Sequence, residues 1–282
     1  MLRLIVEGNS VRSVTRLMGT QIRTVLRQLV IAGEHCEKLM NERFQNLTLR
    51  HLECDEIWTF VQKKQARLTT EEREERHDIG DVYLWTALDQ DTRLIAAHVL
   101  GKRTGDTARR FMMRLFNRMA IPTPFQADDH AFKQGVFNRI TQISTDAFAA
   151  YPEAVDLAFG PYAKYGTLRK EYKNASMIYT PGEIVGTIRR AVFGMNENEL
   201  DSICTSHVER HNLTIRTFMK RFTRLALGFS KKLENLEAAC SLFLAYYNFC
   251  WRPGKMRVTP AMKAGITNQL WSFADLMNGG PK

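Results

Sequence analysis

Three apolar segments in the middle of the chain constrain the fold more than any other feature of the sequence. Each is rich in β-branched and aromatic residues, and they cover residues 52–61, 82–88 and 93–100. A polar segment dense in Lys, Arg and Glu (62–81) separates the first two, and we interpret it as an exposed insertion. The short turn at 89–91 joins the second and third, so the pattern predicts an antiparallel meander of three strands.

A helical crossover is predicted to follow the meander. Residues 104–119 have the spacing of an amphipathic helix, and the segment 142–146 predicts a short strand that ends in an acid. A helix over 147–159, interrupted at Pro152, is expected next. A strand reached through a helix can pair in parallel with its neighbour, so the order of elements favours a mixed sheet flanked by helices. No motif is assigned to residues 162–203, where the periodicity is weak.

Asp55 lies in the middle of the first predicted strand. A carboxylate at such a position is costly unless it has a partner, and a bound metal ion would remove most of that cost. The two-residue period of a strand places Asp55 on the same face as Glu53 and Ile57, with Glu56 on the opposite face.

Asp146 stands where the later strand ends. Ligands of α/β proteins bind at the carboxyl ends of parallel strands, which makes this acid a candidate. An ordinary helix cap explains an Asp at such a junction equally well. Asp128 and Asp129 are rivals for a catalytic role in this part of the chain.

Glu209 lies near the start of a predicted helix that carries apolar residues at helical spacing. Ser206 is expected to be its N-cap, and a capping box between Ser206 and Glu209 is the simplest role for this acid. The face that Glu209 opens continues through Asn212, Arg216 and Lys220, each one turn from the last. The helix therefore presents one acid followed by a basic face.

The net charge of +10 among 282 residues favours a polyanionic partner, most simply nucleic acid, although a merely basic protein is the plain alternative. No apolar run is long enough to span a membrane, and the first residues lack the features of a signal peptide. The five cysteines are scattered and form no C-x-x-C pair, which favours a reducing cytoplasm.

Residues 1–50 predict a small helical module. Helices are expected from Met1 to Glu7, from Val11 to Met18 after a Ser10 cap, and from Gln21 into the forties after a Thr20 cap. Two helices joined by a glycine turn are the pattern of a helix-turn-helix, and a plain three-helix cap is the alternative. The residues of the third helix suited to DNA contact are Gln21, Arg23, Thr24 and Arg27.

Three antiparallel strands, a helix, a parallel strand and later helices form a ribonuclease-H-like arrangement. In that fold an acid in the first strand, one after the fourth strand and one on a later helix converge, and Asp55, Asp146 and Glu209 hold those positions. Carboxylates so placed bind Mg²⁺ through oxygen. The predicted domains are a helix-turn-helix module (1–50), a ribonuclease-H-like catalytic domain (51–232) and a C-terminal helix with a tail packed on it (233–282).

Several stretches in order along the chain carry a resemblance to a known family. They are Gly8–Ser13, Asp55–Val61 with Lys63–Gln65, Ile143–Asp146, Thr205–Thr214, Phe229–Lys232, Tyr246–Phe249 and Thr259–Ala261. In these the chain resembles DDE transposases of bacterial insertion sequences, and is most similar to the insertion-sequence-one family. The resemblance implies that Asp55, Asp146 and Glu209 form the catalytic and metal-binding triad.

The resemblance further implies a DNA-cleaving and strand-transferring enzyme with two divalent ions, Mg²⁺ or Mn²⁺ as a substitute. Its partners would be double-stranded DNA and further copies of itself, and no membrane partner is implied. The protein would then act in the cytoplasm, at the nucleoid. A non-catalytic DNA-binding descendant of a transposase is the alternative, and a nuclease of the same fold is a third interpretation. A basic run later in the chain is usually a solvated face, but beside such a site it predicts a surface that contacts the DNA backbone. Its residues are Asn212, Arg216, Lys220, Arg221, Arg224, Lys231 and Lys232.

Overall fold

A six-stranded mixed sheet forms the centre of the computed structural model, which describes residues 1–121, 141–173, 183–224 and 226–281. Most side chains of its first four strands are buried, as expected for a sheet packed against helices. In chain order they are β1 (His51–Val61), β2 (Gly80–Asp89), β3 (Ile95–Gly101), β4 (Thr141–Asp146), β5 (Ala163–Lys173) and β6 (Glu183–Phe193).

The strands lie side by side in the order β3-β2-β1-β4-β5-β6. The first three form the predicted antiparallel meander, β4 pairs in parallel with both β1 and β5, and β6 returns antiparallel to β5. The predicted mixed sheet is therefore confirmed. Strands β5 and β6 were not predicted, and they lie within residues 162–203.

Helices flank the sheet within the described ranges. They are α1 (Leu2–Val6), α2 (Val11–Met18), α3 (Ile22–Arg43), α4 (Thr70–Glu75), α5 (Gly105–Phe116), α6 (Tyr151–Phe159), α7 (Ser206–Phe218), α8 (Leu233–Phe249), α9 (Pro260–Lys263) and α10 (Phe273–Asn278). Among the described residues, no helix combines the length and the apolar character needed to cross a membrane. The polar insertion between β1 and β2 holds a short 3₁₀ turn and α4, and most of its side chains are exposed, as predicted.

Three predicted helix starts need correction. Helix α3 begins at Ile22 with Gln21 as its N-cap, one residue later than a Thr20 cap would place it. Helix α6 begins at Tyr151, so Pro152 lies in its first turn, where a missing N–H costs nothing, and does not interrupt a longer helix. Helix α7 has Thr205 as its N-cap, whereas Ser206 was predicted.

The N-terminal and C-terminal helices share one core with the sheet. A continuous cluster of buried side chains includes Val25 and Leu29 of α3, Ile57 of β1 and Leu242 of α8. Where α3 meets α8, the two backbones come so close that a Cβ atom on Gly33 would lie 2.3 Å from the Ala238 Cα. Only glycine fits this crossing, because the opposing atom is main chain and cannot rotate away.

Gly33→Ala is therefore expected to lower the free energy of unfolding by about 1–3 kcal/mol, the usual cost of overpacking a well-packed core. Urea denaturation followed by circular dichroism measures the change. Gly105→Ala is the matched control, because a Cβ there meets nothing closer than 3.6 Å. A Gly33→Ala protein as stable as Gly105→Ala would show that the two helices do not cross this closely.

Candidate metal centre

Strand β1 supplies the centre of the site. Asp55 and Thr59, on one face of β1, form hydrogen bonds with α7 and the residues that follow it. The Asn212 amide of α7 donates to Asp55 Oδ2 at 2.8 Å. The Thr59 hydroxyl donates to the Arg221 carbonyl at 2.6 Å. The Glu56 N–H donates to the other Asp55 oxygen, Oδ1, at 2.8 Å. Asp55 is thus held in one orientation by a side chain of α7 and by its own strand.

Glu56 leaves the opposite face of β1, as predicted, and its side chain is 1% exposed. Its oxygens accept hydrogen bonds from Arg103 Nε at 2.7 Å and from the Tyr151 hydroxyl at 3.1 Å. Arg103 also donates to Asp146 Oδ2 at 3.0 Å, so one guanidinium bridges two carboxylates. The ring of Phe148 lies under this guanidinium, 4.2 Å from its central carbon.

The ligand oxygens of Asp55, Glu56 and Asp146 lie within 4.8 Å of one another. We call these three residues the acid cluster. Parallel pairing of β1 with β4 ends at the Cys54–Thr145 pair, so no β4 residue pairs with Asp55 or Glu56. The cluster joins two acids that were singled out in the sequence with Glu56, which was not.

The crowding of negative charge shows in the pKa values. Burial, and then the charge of Glu56, raises the pKa of Asp55 from its ordinary 3.8 to about 7, and Asp146 and Glu209 add to the effect. Burial and the charge of Asp146 also raise the pKa of Glu56, against the opposing effect of Arg103. Such a site favours a cation, because each carboxylate disfavours the ionisation of the next.

Glu209 lies beside the acid cluster and not within it. Its carboxylate forms an ion pair with Lys170 of β5 and accepts a hydrogen bond from the Thr205 hydroxyl at 2.8 Å. The predicted capping box with Ser206 is wrong, because the Ser206 N–H bonds to the sulfur of Cys204. Glu209 is close enough to contribute to the raised pKa of Asp55, and its side chain is 40% exposed.

Glu53 fixes the start of α7 against β1. Its buried carboxylate accepts the backbone N–H of His207 at 2.8 Å and that of Val208 at 3.0 Å, and it bonds the His207 ring at 2.5 Å. These are free N–H groups of a helix N-terminus, where negative charge is also favoured by the helix dipole. Cys204 lies near enough to join Glu53 and His207 as a group of metal-ligand atoms, but the Glu53 oxygens are already occupied by these hydrogen bonds. We interpret this group as a structural contact that holds the start of α7 against β1.

The predicted DNA-contact residues lie in two places. Gln21, Arg23, Thr24 and Arg27 are exposed along the start of α3. Of the later run, Lys220, Arg224, Lys231 and Lys232 are exposed.

Three members of the later run are less accessible. Asn212 is 4% exposed and holds Asp55. The Arg221 guanidinium donates to the Ser230 hydroxyl at 2.9 Å, and burial lowers its pKa. Arg216 is half-buried near Asp55, and its Nε has no hydrogen-bond partner within the described ranges. The rival acids Asp128 and Asp129 lie outside the described residues.

The donor set fits a hard divalent cation. Mg²⁺ and Mn²⁺ prefer carboxylate oxygens, and the acid cluster supplies three carboxylates at one place with a fourth, Glu209, nearby. Arg103 and Lys170 supply the positive charge there in the metal-free protein. A cation that entered the cluster would take over that role.

The pKa of Asp55 predicts how the stability of the metal-free protein changes with pH. The folded state holds a proton on Asp55 up to about pH 7, whereas the unfolded chain loses it near its ordinary value of 3.8. Between these values the unfolded state binds fewer protons, so the wild type loses stability as pH rises. Asp55→Asn does not titrate, and its stability relative to the wild type is expected to increase from pH 4 to pH 7 and then to level off.

Thermal melts of both proteins in EDTA across this range measure that difference. Any change in hydrogen bonding from Asn itself adds the same offset at every pH, so only the slope bears on Asp55. A difference that stays constant with pH would show that Asp55 has an ordinary pKa in the folded protein.

Compared with known proteins, the chain matches no protein-family model and no curated protein. The transposase resemblance of the motifs quoted above therefore stays a prediction. What can be said of function comes from the chemistry of the acid cluster and its surroundings.

Proposed function

We propose that the chain is a DDE-type transposase, which hydrolyses a phosphodiester at the ends of its element and then directs the freed 3′-hydroxyl against target DNA. The observation that carries this proposal is the convergence of Asp55, Glu56 and Asp146 within 4.8 Å, with Glu209 at their side. These acids come from two adjacent strands and a later helix. Arg103 pairs with Glu56 and Asp146 and Lys170 pairs with Glu209, whereas Asp55 forms no ion pair among the described residues, which supports a metal ion beside it.

The sheet supports the proposal. Its order β3-β2-β1-β4-β5, with only β2 antiparallel to the other four, is compatible with a ribonuclease-H-like fold, and β6 is a further edge strand. Asp55 is in the first strand and Asp146 ends the fourth, as that arrangement requires. Glu209 of helix α7 lies near enough to raise the pKa of Asp55.

Two divalent ions, when bound, supply activation of the attacking hydroxyl and stabilisation of the leaving oxygen. Asp55, Glu56 and Asp146 would hold them. Asn212 keeps Asp55 in place through its amide, and Tyr151 does the same for Glu56 through its hydroxyl. These fixed partners limit the movement of the carboxylates, which is the condition for precise positioning of a reacting phosphate.

Nearby cations are suited to hold the DNA backbone. Arg216 lies next to Asp55 with an Nε that lacks a partner in the described part of the chain, and Arg224 is exposed close to it. A phosphate contact at Arg216 would position the scissile strand without reading its sequence. The exposed residues at the start of α3 are the corresponding candidates for reading the element ends, as part of a helix-turn-helix module. Transposition joins two ends, so we also propose a homo-oligomer on DNA.

One reaction tests the proposal. The protein is mixed with labelled ends of the element that encodes it, a target plasmid, and Mg²⁺ or Mn²⁺. Joined product supports a transposase. Cleavage without joining would indicate a nuclease of the same fold, and a mobility shift without cleavage would indicate a DNA-binding protein that has lost its activity; either result would contradict the proposal.

A further inference from the structure

A cavity of about 800 Å³ lies beside the part of β1 that follows the acid cluster. One wall is the end of β1 and the residues after it, and the other is formed by described residues of 221–224 and 226–229. The two walls are tied together by a parallel bridge between Val61 and Ser230 and by the Gln62 N–H, which donates to the Ser230 carbonyl at 2.8 Å. The volume is in the range of ordinary small-ligand sites.

Aromatic rings form the apolar part of the cavity. Trp58 and Phe60 come from β1 with ring centres 5.7 Å apart, and Phe229 of the opposite wall lies 4.8 Å from Phe60. All three side chains are half-buried, so part of each ring faces the cavity. Aromatic residues that only filled a core would be covered on both faces, as Trp85 of β2 is.

Positive charge surrounds these rings. Lys64 lies with its Nζ 5.5 Å from the centre of the Trp58 ring, and Arg67 and Arg224 are exposed on the two walls. Among the described residues that line the cavity, none is acidic. Rings flanked by unopposed cations favour a ligand that is flat and aromatic and also carries negative charge.

We propose that this cavity binds an unpaired nucleotide of the DNA strand that crosses the acid cluster. The base stacks on Trp58 and the rings next to it, and the cations contact its phosphate, which is how single-stranded nucleic acid is bound without sequence preference. Trp58 lies two residues after Glu56 on the same face of β1, about 7 Å along an extended strand, so one DNA strand reaches both the acid cluster and the cavity. The base must leave the duplex to stack there, as it does in other enzymes that extrude a nucleotide. This inference rests on the proposed function, since it takes DNA as the substrate.

Two stretches of the sequence meet at this cavity. Trp58 to Lys64 supplies aromatic residues and lysines to the lining, and Phe229, about 170 residues later in the chain, supplies a ring of the opposite wall. Neither has a role in holding the metal. Because the two stretches converge, we assign them a common role as the two sides of a site for a base and its phosphate.

Binding of a fluorescein-labelled short oligothymidylate tests the inference, with a duplex of the same length as comparison. EDTA is present throughout, so the result does not depend on cleavage or on metal binding. Trp58→Leu is expected to weaken single-strand binding by about tenfold, because it removes one stacking platform. Trp58→Phe keeps an aromatic ring and is expected to bind within about twofold of the wild type. Duplex binding should change less in both, because the cost of unpairing a base offsets the stacking.

Phe229→Leu provides a second variant from the opposite wall, with the same expectation, and melting temperatures show that each variant is folded. Single-strand affinity unchanged in folded Trp58→Leu and Phe229→Leu would overturn the inference. Equal weakening for single strand and duplex would also overturn it, because stacking requires an unpaired base. The cleavage assay with the acid variants is separate, so a protein that fails there and passes here binds single strands without being a transposase.

Discussion

Asp146→Asn is expected to lower the rate of metal-dependent DNA cleavage by about 10²- to 10³-fold, the usual loss when one preorganised charge of an active site is removed. Asn has nearly the shape of Asp, and its oxygen can still accept the Phe148 N–H, a bond of 3.0 Å in the wild type. The fold should therefore remain. What disappears is one negative ligand of the acid cluster, together with the ion pair to Arg103.

Cleavage of a labelled DNA end, measured as an initial rate in Mn²⁺, gives the effect, and a mobility shift in EDTA gives DNA affinity. Asp106→Asn is the matched control, because this carboxylate is 76% exposed on α5 and belongs to no cluster. Asp146→Asn that cleaves as fast as Asp106→Asn would remove Asp146 from the active site. One of the acids outside the described residues, Asp128 or Asp129, would then become the stronger candidate.

Glu53→Gln is expected to reduce cleavage by about 10²-fold, although Glu53 lies outside the acid cluster. The Glu53 carboxylate accepts the N–H groups of His207 and Val208 and so sets where α7 begins. Both N–H groups bond to Oε2, and Oε1 bonds to the His207 ring. Gln keeps this shape but removes the negative charge that favours these N–H groups of the helix N-terminus, so the start of α7 is held less firmly. Glu209 lies in the first turns of the same helix, and a displacement of about 1 Å is enough for a loss of this size.

A positioning role for Glu53 predicts lower kcat with little change in DNA affinity, and a weaker response to Mn²⁺. Ser272→Ala is the control for a lost helix cap, because Ser272 caps α10 by accepting the Asp275 N–H, far along the chain from the acids. Both variants should lose some stability. Equal cleavage rates for Glu53→Gln and Ser272→Ala would show that Glu53 acts only on folding.

The strands that could be predicted are those with a clear local pattern. Strands β1 to β3 are rich in apolar, β-branched and aromatic residues, and β4 carries buried side chains up to Asp146. Strand β5 is marked less clearly, since Lys164, Arg169 and Lys170 interrupt its pattern. It is held by its pairing with β4 and β6, which depends on residues far away in the chain and cannot be read from a short window.

In the candidate site, too, some residues could be predicted from the local sequence and others could not. Asp55 and Asp146 were singled out because each stands at a recognisable point of a strand. Glu56 was passed over because it points from the opposite face of β1, and the cluster that joins it to Asp55 and Asp146 forms only where the pairing of β1 with β4 ends. Lys170, the partner of Glu209, belongs to the strand that the sequence did not reveal. The capping box was expected from spacing alone, and the position of Thr205 decides against it.

Direct titration with Mn²⁺ tests the central claim, that Asp55, Glu56 and Asp146 form a site for divalent cations. Isothermal calorimetry and the melting temperature are measured together on the wild type, on Asp55→Asn and on Glu56→Gln. A cation that binds only the folded state stabilises it by about 2.7 kcal/mol at a hundred times its dissociation constant. We expect the wild type to bind Mn²⁺ and to gain melting temperature, and both variants to lose most of the heat and most of the gain. Equal heats and equal gains in all three proteins would contradict a metal site at the acid cluster.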